Sequence, residues 1–337
     1  MKFIRTNLVL VLTVVSLATA YPSAEYKEYK EKRSNPTVYR PSTNPTKTET
    51  VVVTLGGLTN GRYVATDSVE MFFPQHRNRS AVSLPPLSSP RQGMAAACVD
   101  GKLYVFGGVN SNGSPLSDRP LDITEVFDFS TGKWSTLKPL PTALSFAAAV
   151  HKDDQIYVFG ESFSRRYDIS QNKWFGVDGG TFRNSDVTAA IVEHTIFACD
   201  GSAKCKKYDT NTQKWLPLSS LNEITMSPRL VRYGYSVYAI GGMDKNNKIA
   251  ANMEQASIDN DLWGSVDGTE NVPYPQYGHS LTLANGRVYQ TGGTNGETGS
   301  GYSGRVLSYG SSVWIVEQMS LLYPRTGHVS VTCEIPV

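Results

Sequence analysis

Beyond its first 20 residues the chain of 337 has no apolar stretch long enough to span a bilayer, so no membrane-spanning helix is expected in its body. It lacks an amphipathic helical period as well, which leaves strands and turns as its building material. There is no G-x-S-x-G, no H-E-x-x-H and no metal-spaced Cys/His cluster, and no pair of carboxylates stands out. Nothing therefore marks the chain as a serine hydrolase or a zinc protease. An excess of one charge is also missing: 32 basic residues face 30 acidic ones, and the basic ones are scattered. No patch is expected to track a nucleic-acid backbone. Cysteine is scarce, with only Cys98, Cys199, Cys205 and Cys333.

What the sequence does hold is repetition. The stretch Gly101–Leu137 reads G-K-L-Y-V-F-G-G, a long polar loop, I-T-E-V-F-D-F, an S-T-G-K turn and W-S-T-L. Its short apolar strand Tyr104–Phe106 stops at Gly107-Gly108, where the backbone needs angles that a Cβ forbids. Di-glycines recur at Gly56-Gly57, Gly241-Gly242 and Gly292-Gly293, with Gly160-Glu161 and Asp200-Gly201 in the two missing places. All five tryptophans (Trp134, Trp174, Trp215, Trp263 and Trp314) fall at one point of their copies, and Ala81 takes that point in the sixth. Aromatic-Asp pairs precede the turn at Phe127-Asp128, Tyr167-Asp168 and Tyr208-Asp209. A period of roughly 40 to 53 residues with four strands per copy is that of propeller blades.

These motifs resemble kelch repeats. The resemblance covers residues 49–337 and implies an all-β, six-bladed propeller of four-stranded blades, with strands A (innermost) to D. In blade 2 the expected strands are A Gln92–Val99, B Lys102–Phe106, C Ile123–Phe129 and D Trp134–Leu137; the other A strands are expected near Ser145–Val150, Asp186–Val192, Arg229–Tyr233 and His279–Leu283. The chain enters blade 1 at Glu49 on a B strand, so Arg325–Glu334 is expected to supply the missing A strand and close the ring.

Ahead of that domain, Lys2 and Arg5 precede an apolar run and Ala18-Thr19-Ala20, which reads as a signal peptide over residues 1–20 cleaved between Ala20 and Tyr21. Residues 21–48 are polar and Pro-rich and are expected to be a disordered tail, propeptide or linker, either cut after Lys32-Arg33 or left whole. The expectation is a soluble, secreted, extracellular protein. In that setting an even cysteine count favours two disulfides. Cys199 and Cys205 face each other across a short turn, and Cys98 and Cys333 lie on neighbouring A strands one residue out of register; free thiols are the alternative for each pair. Sequons at Asn78 and Asn112 are candidate glycosylation sites, the second on a long loop.

The D-to-A and B-to-C loops share one end of the blades and are longest on blades 5, 6, 1 and 2, which selects that face for binding. Arg91, Arg229 and Arg325 stand before A strands there, where a guanidinium fork suits acidic groups; pairing with a local carbonyl is the alternative. Tyr277 joins them as a ligand candidate. His279 and His328 sit at equivalent places on adjacent blades, and with Tyr277 they raise a copper site of the galactose-oxidase kind. Gly278 interrupts that family's Tyr-His pair, so packing histidines and no cofactor are the preferred reading. The expected function is a secreted binding module for an extracellular protein or glycan, with no nucleic acid partner. Its alternative is an extracellular sugar-active enzyme, a copper-radical oxidase relative or a sialic-acid mutarotase-like protein.

Overall fold

The computed structural model describes residues 37–43, 47–59, 63–76, 79–112, 118–266, 268, 271–295 and 301–337. The expected signal segment with Ala20 and Tyr21, the Lys32-Arg33 pair and Asn78 lie outside them. The architecture is all-β, and no helix among the described residues is long and apolar enough to cross a membrane.

Six antiparallel four-stranded sheets run through the described chain. Sheet 1 takes Val329–Pro336, Thr48–Leu55, Val69–Phe72 and Val82–Leu84 in that order. Sheet 2 is Ala95–Val99, Lys102–Phe106, Thr124–Asp128 and Lys133–Thr136, and sheet 3 is Ala148–Lys152, Gln155–Gly160, Phe163–Asp168 and Lys173–Gly176. Sheet 4 is Thr188–Val192, Thr195–Cys199, Cys205–Asp209 and Lys214–Pro217. Sheet 5 is Arg229–Tyr233, Ser236–Ile240, Met253–Ser257 and Gly264–Ser265, and sheet 6 is Ser280–Ala284, Arg287–Thr291, Arg305–Gly310 and Val313–Ser320.

The innermost strands mostly begin later than the sequence pattern suggests, at Ala95 rather than Gln92 and at Val329 rather than Arg325. A left-handed residue precedes each of them: Gly93, Phe146, Asp186, Ser227, Gly278 and Gly327 all have φ between 49° and 64°. Such a residue turns the chain before the pleat can start. The same positions carry bonds between sheets. Gly327 N–H donates to Gly278 O (2.9 Å), Gly93 to Gly327 O (2.9 Å), Phe146 to Gly93 O (2.5 Å) and Val187 to Phe146 O (2.9 Å).

Apolar residues of consecutive sheets pack together. Leu103, Phe127 and Phe129 of sheet 2 share a cluster with Val51, Val53 and Ile335 of sheet 1, and five similar clusters join the other neighbours, sheet 6 to sheet 1 included. The repeated tryptophans explain their own spacing: ring centroids lie 5.2 Å apart for Phe127–Trp134, 5.0 Å for Tyr167–Trp174, 5.1 Å for Tyr208–Trp215 and 5.1 Å for Tyr309–Trp314. Trp134 Nε1 also donates to Pro85 O (2.9 Å) and Trp174 Nε1 to Lys138 O (3.2 Å), so each indole grips the link leaving the preceding sheet. Trp263 and Trp314 are buried, whereas Trp134, Trp174 and Trp215 are half-buried. Trp263→Ala and Trp314→Ala should therefore cost about 3–5 kcal/mol in urea unfolding, and the other three distinctly less. Equal losses at all five would contradict this ranking.

The expected tail needs correction at its inner end. Thr48 already belongs to a strand, and residues 37–39 lie parallel to the outer edge of sheet 1, with Tyr39 N–H to Ser83 O (2.9 Å) and Ser83 N–H to Thr37 O (2.9 Å). The Tyr39 ring meets Phe127 and Phe129 edge-on and its hydroxyl donates to Phe129 O (2.6 Å). Composition did not show this because one aromatic ring and one open strand edge are enough to hold so short a segment.

Candidate functional site

The links from second to third strands and from one sheet to the next gather at one end, where the di-glycines end the second strands. They are long in sheets 1, 2, 5 and 6 (56–68, 107–123, 241–252 and 292–304) and short in sheets 3 and 4 (161–162 and 200–204). A cavity of about 640 Å³ runs along the innermost strands, lined at this end by Gln92, Asp186, Arg229, Tyr277 and Thr326. Beside it, Tyr63 OH (3.1 Å) and Ser111 Oγ (2.8 Å) both donate to Asp118 Oδ2, and Gln92 Nε2 donates to Ser111 Oγ (2.7 Å). Burial, then the Asp118 charge, pushes the Tyr63 phenol up; burial pushes the Tyr302 phenol up as well. These phenols stay protonated and able to donate. Tyr63, Ser111, Asp118 and Tyr302 went unnoticed in the sequence because the loops that carry them have no common register from repeat to repeat.

Of the expected ligand residues, Tyr277 and Arg229 do line the cavity. Tyr277 is half-buried and its backbone exchanges two 3.0 Å hydrogen bonds with Thr294. Arg229 is already engaged, with Nη2 to Asp186 Oδ1 (2.9 Å), Nε to His279 O (3.2 Å) and Nη1 to Pro228 O (3.0 Å). It is not the counterpart of the other two arginines. Arg91 and Arg325 lie two residues before the left-handed glycines Gly93 and Gly327, and Arg229 two residues after Ser227. The Pro-Arg dipeptide is the same in all three, but the backbone register is not.

Arg91 and Arg325 must be reassigned. Both are fully buried: Arg91 pairs with Glu125, and Arg325 Nη2 bonds Glu70 Oε1 (2.5 Å). The same glutamates hold the backbone of the entering link, Ser88 N–H on Glu125 (3.2 Å) and Leu322 N–H on Glu70 (2.5 Å). Burial pushes the Glu70 carboxyl up, while the Arg325 guanidinium and the Leu322 N–H oppose it. These arginines have no surface to offer a ligand; they tie the strand entry to the third strand of their own sheet.

His279 and His328 are packing groups, and their residues do not fit copper. The His279 ring lies on Gly241 of sheet 5 and the His328 ring on Gly292 of sheet 6, each where a Cβ would collide with the imidazole (2.3 and 2.4 Å). His328 Nε2 sits 3.1 Å from Thr291 Oγ1. No group of three or more His, Cys, Asp or Glu side chains among the described residues could share an ion. Burial, with Arg229 adding, lowers His279 to about 3; burial, then Arg325 and His279, lowers His328 well below its ordinary value.

A pH dependence follows. Both imidazoles are neutral in the fold but titrate near 6.5 once exposed, so the unfolded state binds more protons below that pH. Their contribution is complete above about pH 6.5 and is lost as pH falls toward the folded value, by up to about 1.4 kcal/mol per pH unit for each ring. Glu70, raised by burial, acts with the opposite sign as pH falls toward the ordinary carboxylate range. Urea midpoints between pH 7 and 5 should drop for the wild type and drop less for His279→Gln. Parallel curves would mean the ring is not held neutral.

Both expected cysteine pairs have disulfide geometry. Cys199 and Cys205 are register partners with Cα atoms 4.0 Å apart, and Cys98 and Cys333 have Cα atoms 5.3 Å apart. Non-reducing peptide mapping should recover both linked peptides; quantitative alkylation of any of the four in undenatured protein would count against that pair. Asn112 is exposed and bridges Val64 on the loop of sheet 1.

The fold and these motifs define a kelch-repeat β-propeller. The family model for the KLHDC2/KLHL20/DRC7 Kelch-repeats domain matches residues 44–293, and the chain belongs to the kelch-repeat family. It is similar to Kelch-like protein 25 of Xenopus tropicalis (25% identity over 205 residues, 56% of this chain and 34% of that protein). It also resembles Kelch-like protein 28 of Homo sapiens (31% over 120 residues, 35% of this chain and 20% of that protein). Spermatocyte protein spe-26 of Caenorhabditis elegans matches more of it, 25% over 261 residues, 77% of this chain and 39% of that protein. The chain thus spans well under half the length of these relatives.

Proposed function

We propose that the chain is a six-bladed kelch propeller, closed by its last strand, that binds an extracellular protein or glycan through the rim over sheets 5, 6, 1 and 2. The observation that carries the reading is the uneven rim: long links with half-buried tyrosines and a polar network stand on one side of the cavity mouth, and the other side is low. Tyrosine gives large contact area at small entropic cost with a polar tip for orientation. Six sheets, and innermost strands that touch their neighbours from sheet 1 through sheet 6 and back, support the blade count and the closure. Secretion rests on the N-terminal sequence, and the two cysteine pairs accord with it. Kelch propellers bind proteins, so a protein partner comes first and a glycan second.

The test is capture from extracellular fluid, together with a glycan array, using wild type, Tyr277→Ala and Tyr302→Ala. Each substitution should weaken capture by about tenfold or more with the melting temperature nearly unchanged. If neither does, while Lys133→Ala or Lys214→Ala at the opposite end does, the choice of face is wrong.

A further inference from the structure

The backbone is strained at one point of the cavity mouth. Each innermost strand is preceded by a left-handed residue, and five of the sheets place glycine, aspartate or serine there. Sheet 3 places Phe146, at φ 51°. A bulky side chain is an outlier in that region, and residues held in such conformations gather at ligand clamps and other functional sites. A glycine would make the same two main-chain bonds, Phe146 N–H to Gly93 O (2.5 Å) and Val187 N–H to Phe146 O (2.9 Å), without strain. The core does not account for the ring either. Phe146 is half-buried and belongs to none of the six apolar clusters of the described residues. Its ring edge rests on Gly93, where a Cβ would come within 2.9 Å of it, and it lines the cavity.

In the proposed ring of six, sheet 6 lies opposite sheet 3. Tyr277, at the entry of sheet 6, lines the same cavity and is likewise half-buried and outside those clusters. Two aromatic side chains thus border the mouth from opposite sides, and the flanks between them are polar. On the side of sheets 4 and 5 stand Asp186 and Arg229, paired at 2.9 Å, with three of the five guanidinium N–H donors engaged. Sheets 1 and 2 contribute Gln92 and Thr326, whose Oγ1 donates to Gly278 O (3.1 Å) and is left to accept. The charges on these flanks cancel, the guanidinium against the carboxylate.

We propose that this mouth binds a neutral pyranose residue of a glycan, its C–H faces toward Phe146 and Tyr277 and its hydroxyls toward the two polar flanks. The inference rests on the reading of this end as the binding face and names what enters the cavity there. The negative face of an aromatic ring attracts the polarised C–H bonds of a sugar ring, and the hydroxyls around that ring both donate and accept. A peptide side chain of similar width, aromatic or aliphatic, carries a polar group on one edge at most. Seated here, it would leave the polar groups of one flank dry and without a partner. An acidic sugar is disfavoured, because Asp186 already neutralises the guanidinium that would have to receive its charge.

The experiment is saturation-transfer NMR on the full chain with the methyl glycosides of glucose, galactose, mannose and N-acetylglucosamine, and with N-acetylneuraminate as the acidic contrast. At least one neutral glycoside should bind, with a dissociation constant in the millimolar range expected of so small a ligand, and N-acetylneuraminate should not. Phe146→Leu and Asp186→Asn should each weaken that binding by about tenfold or more, whereas Tyr235→Ala, exposed at the opposite end, should leave it unchanged. Phe146→Gly removes ring and strain together, so it should abolish binding while the melting temperature stays within a few degrees of the wild type. Absence of transfer from every neutral glycoside overturns the proposal, and so does binding that Phe146→Leu leaves intact. A Phe146→Gly chain that no longer folds overturns it too, since the ring would then be a packing group. Protein capture that depends on Tyr277 and Tyr302 while no glycoside binds would overturn this inference and leave the binding face standing.

Discussion

Deleting Val329–Val337 should abolish cooperative unfolding, leaving a chain that melts over a broad range or aggregates. The strand pairs with Thr48–Leu55 at eight consecutive positions, from Leu55↔Val329 to Thr48↔Pro336. Side chains tie it to that strand and to sheet 6: Thr54 Oγ1 and Thr291 Oγ1 each lie 2.8 Å from Ser330 Oγ, Ser330 N–H donates to Ser280 Oγ (2.8 Å), and Thr332 Oγ1 donates to Leu283 O (2.7 Å). Cys333 and Ile335 sit in the cluster between sheets 1 and 2, and Cys98 reaches Cys333 from sheet 2. Removal would strip the partner from a strand whose Val51, Val52, Val53 and Leu55 are wholly buried, and would leave an apolar open edge. A truncated protein that melts in one sharp transition within a few degrees of the full chain would show that this strand is not what completes sheet 1.

The second large effect concerns the buried arginines. Arg325→Ala should destabilise by about 3–5 kcal/mol, because it leaves the Glu70 carboxylate buried with only the backbone donors of Leu322 and Tyr323 beside it. Arg91→Ala should behave alike through Glu125. Combining Arg325→Ala with Glu70→Gln should restore part of the loss, since the unpaired charge is then gone. Sheet 5 shows that a glutamate at this place can do without arginine: Glu254 accepts N–H bonds from Asn222 (2.7 Å), Glu223 (2.9 Å) and Ile224 (3.0 Å). Chemical denaturation measures all of these. A loss under about 1 kcal/mol for both arginines would place them at the surface, where exposed ion pairs have such values.

The proposed rim binding and the fold stability are expected to separate onto different residues. Tyr277 and Tyr302 should affect capture without moving the melting temperature, whereas Arg91 and Arg325 should move the melting temperature first. The histidines belong with the arginines, since their rings fill space over Gly241 and Gly292 and charge only in acid.

The repeat itself was determined by sequence alone, and so were the second and third strands. Tyr104–Phe106 before Gly107-Gly108, and Phe127-Asp128 ahead of Trp134, are local patterns: an apolar run, a turn that a Cβ would obstruct, and an aromatic pair across one hairpin. Each is satisfied within a few residues, so each is legible within a few residues. The cysteine pairing Cys199–Cys205 was legible for the same reason. Tertiary structure alone decided what Arg91, Arg229 and Arg325 do. A Pro-Arg dipeptide does not reveal whether a left-handed residue follows or precedes it, and that four-residue shift separates a buried ion pair from a cavity-lining side chain. It also decided that His279 and His328 lie closed against glycines of the neighbouring sheet, and that Tyr39 docks between sheets 1 and 2. Those contacts join residues of different repeats, and the packing of one sheet on the next, which no single repeat encodes, is what brings them together.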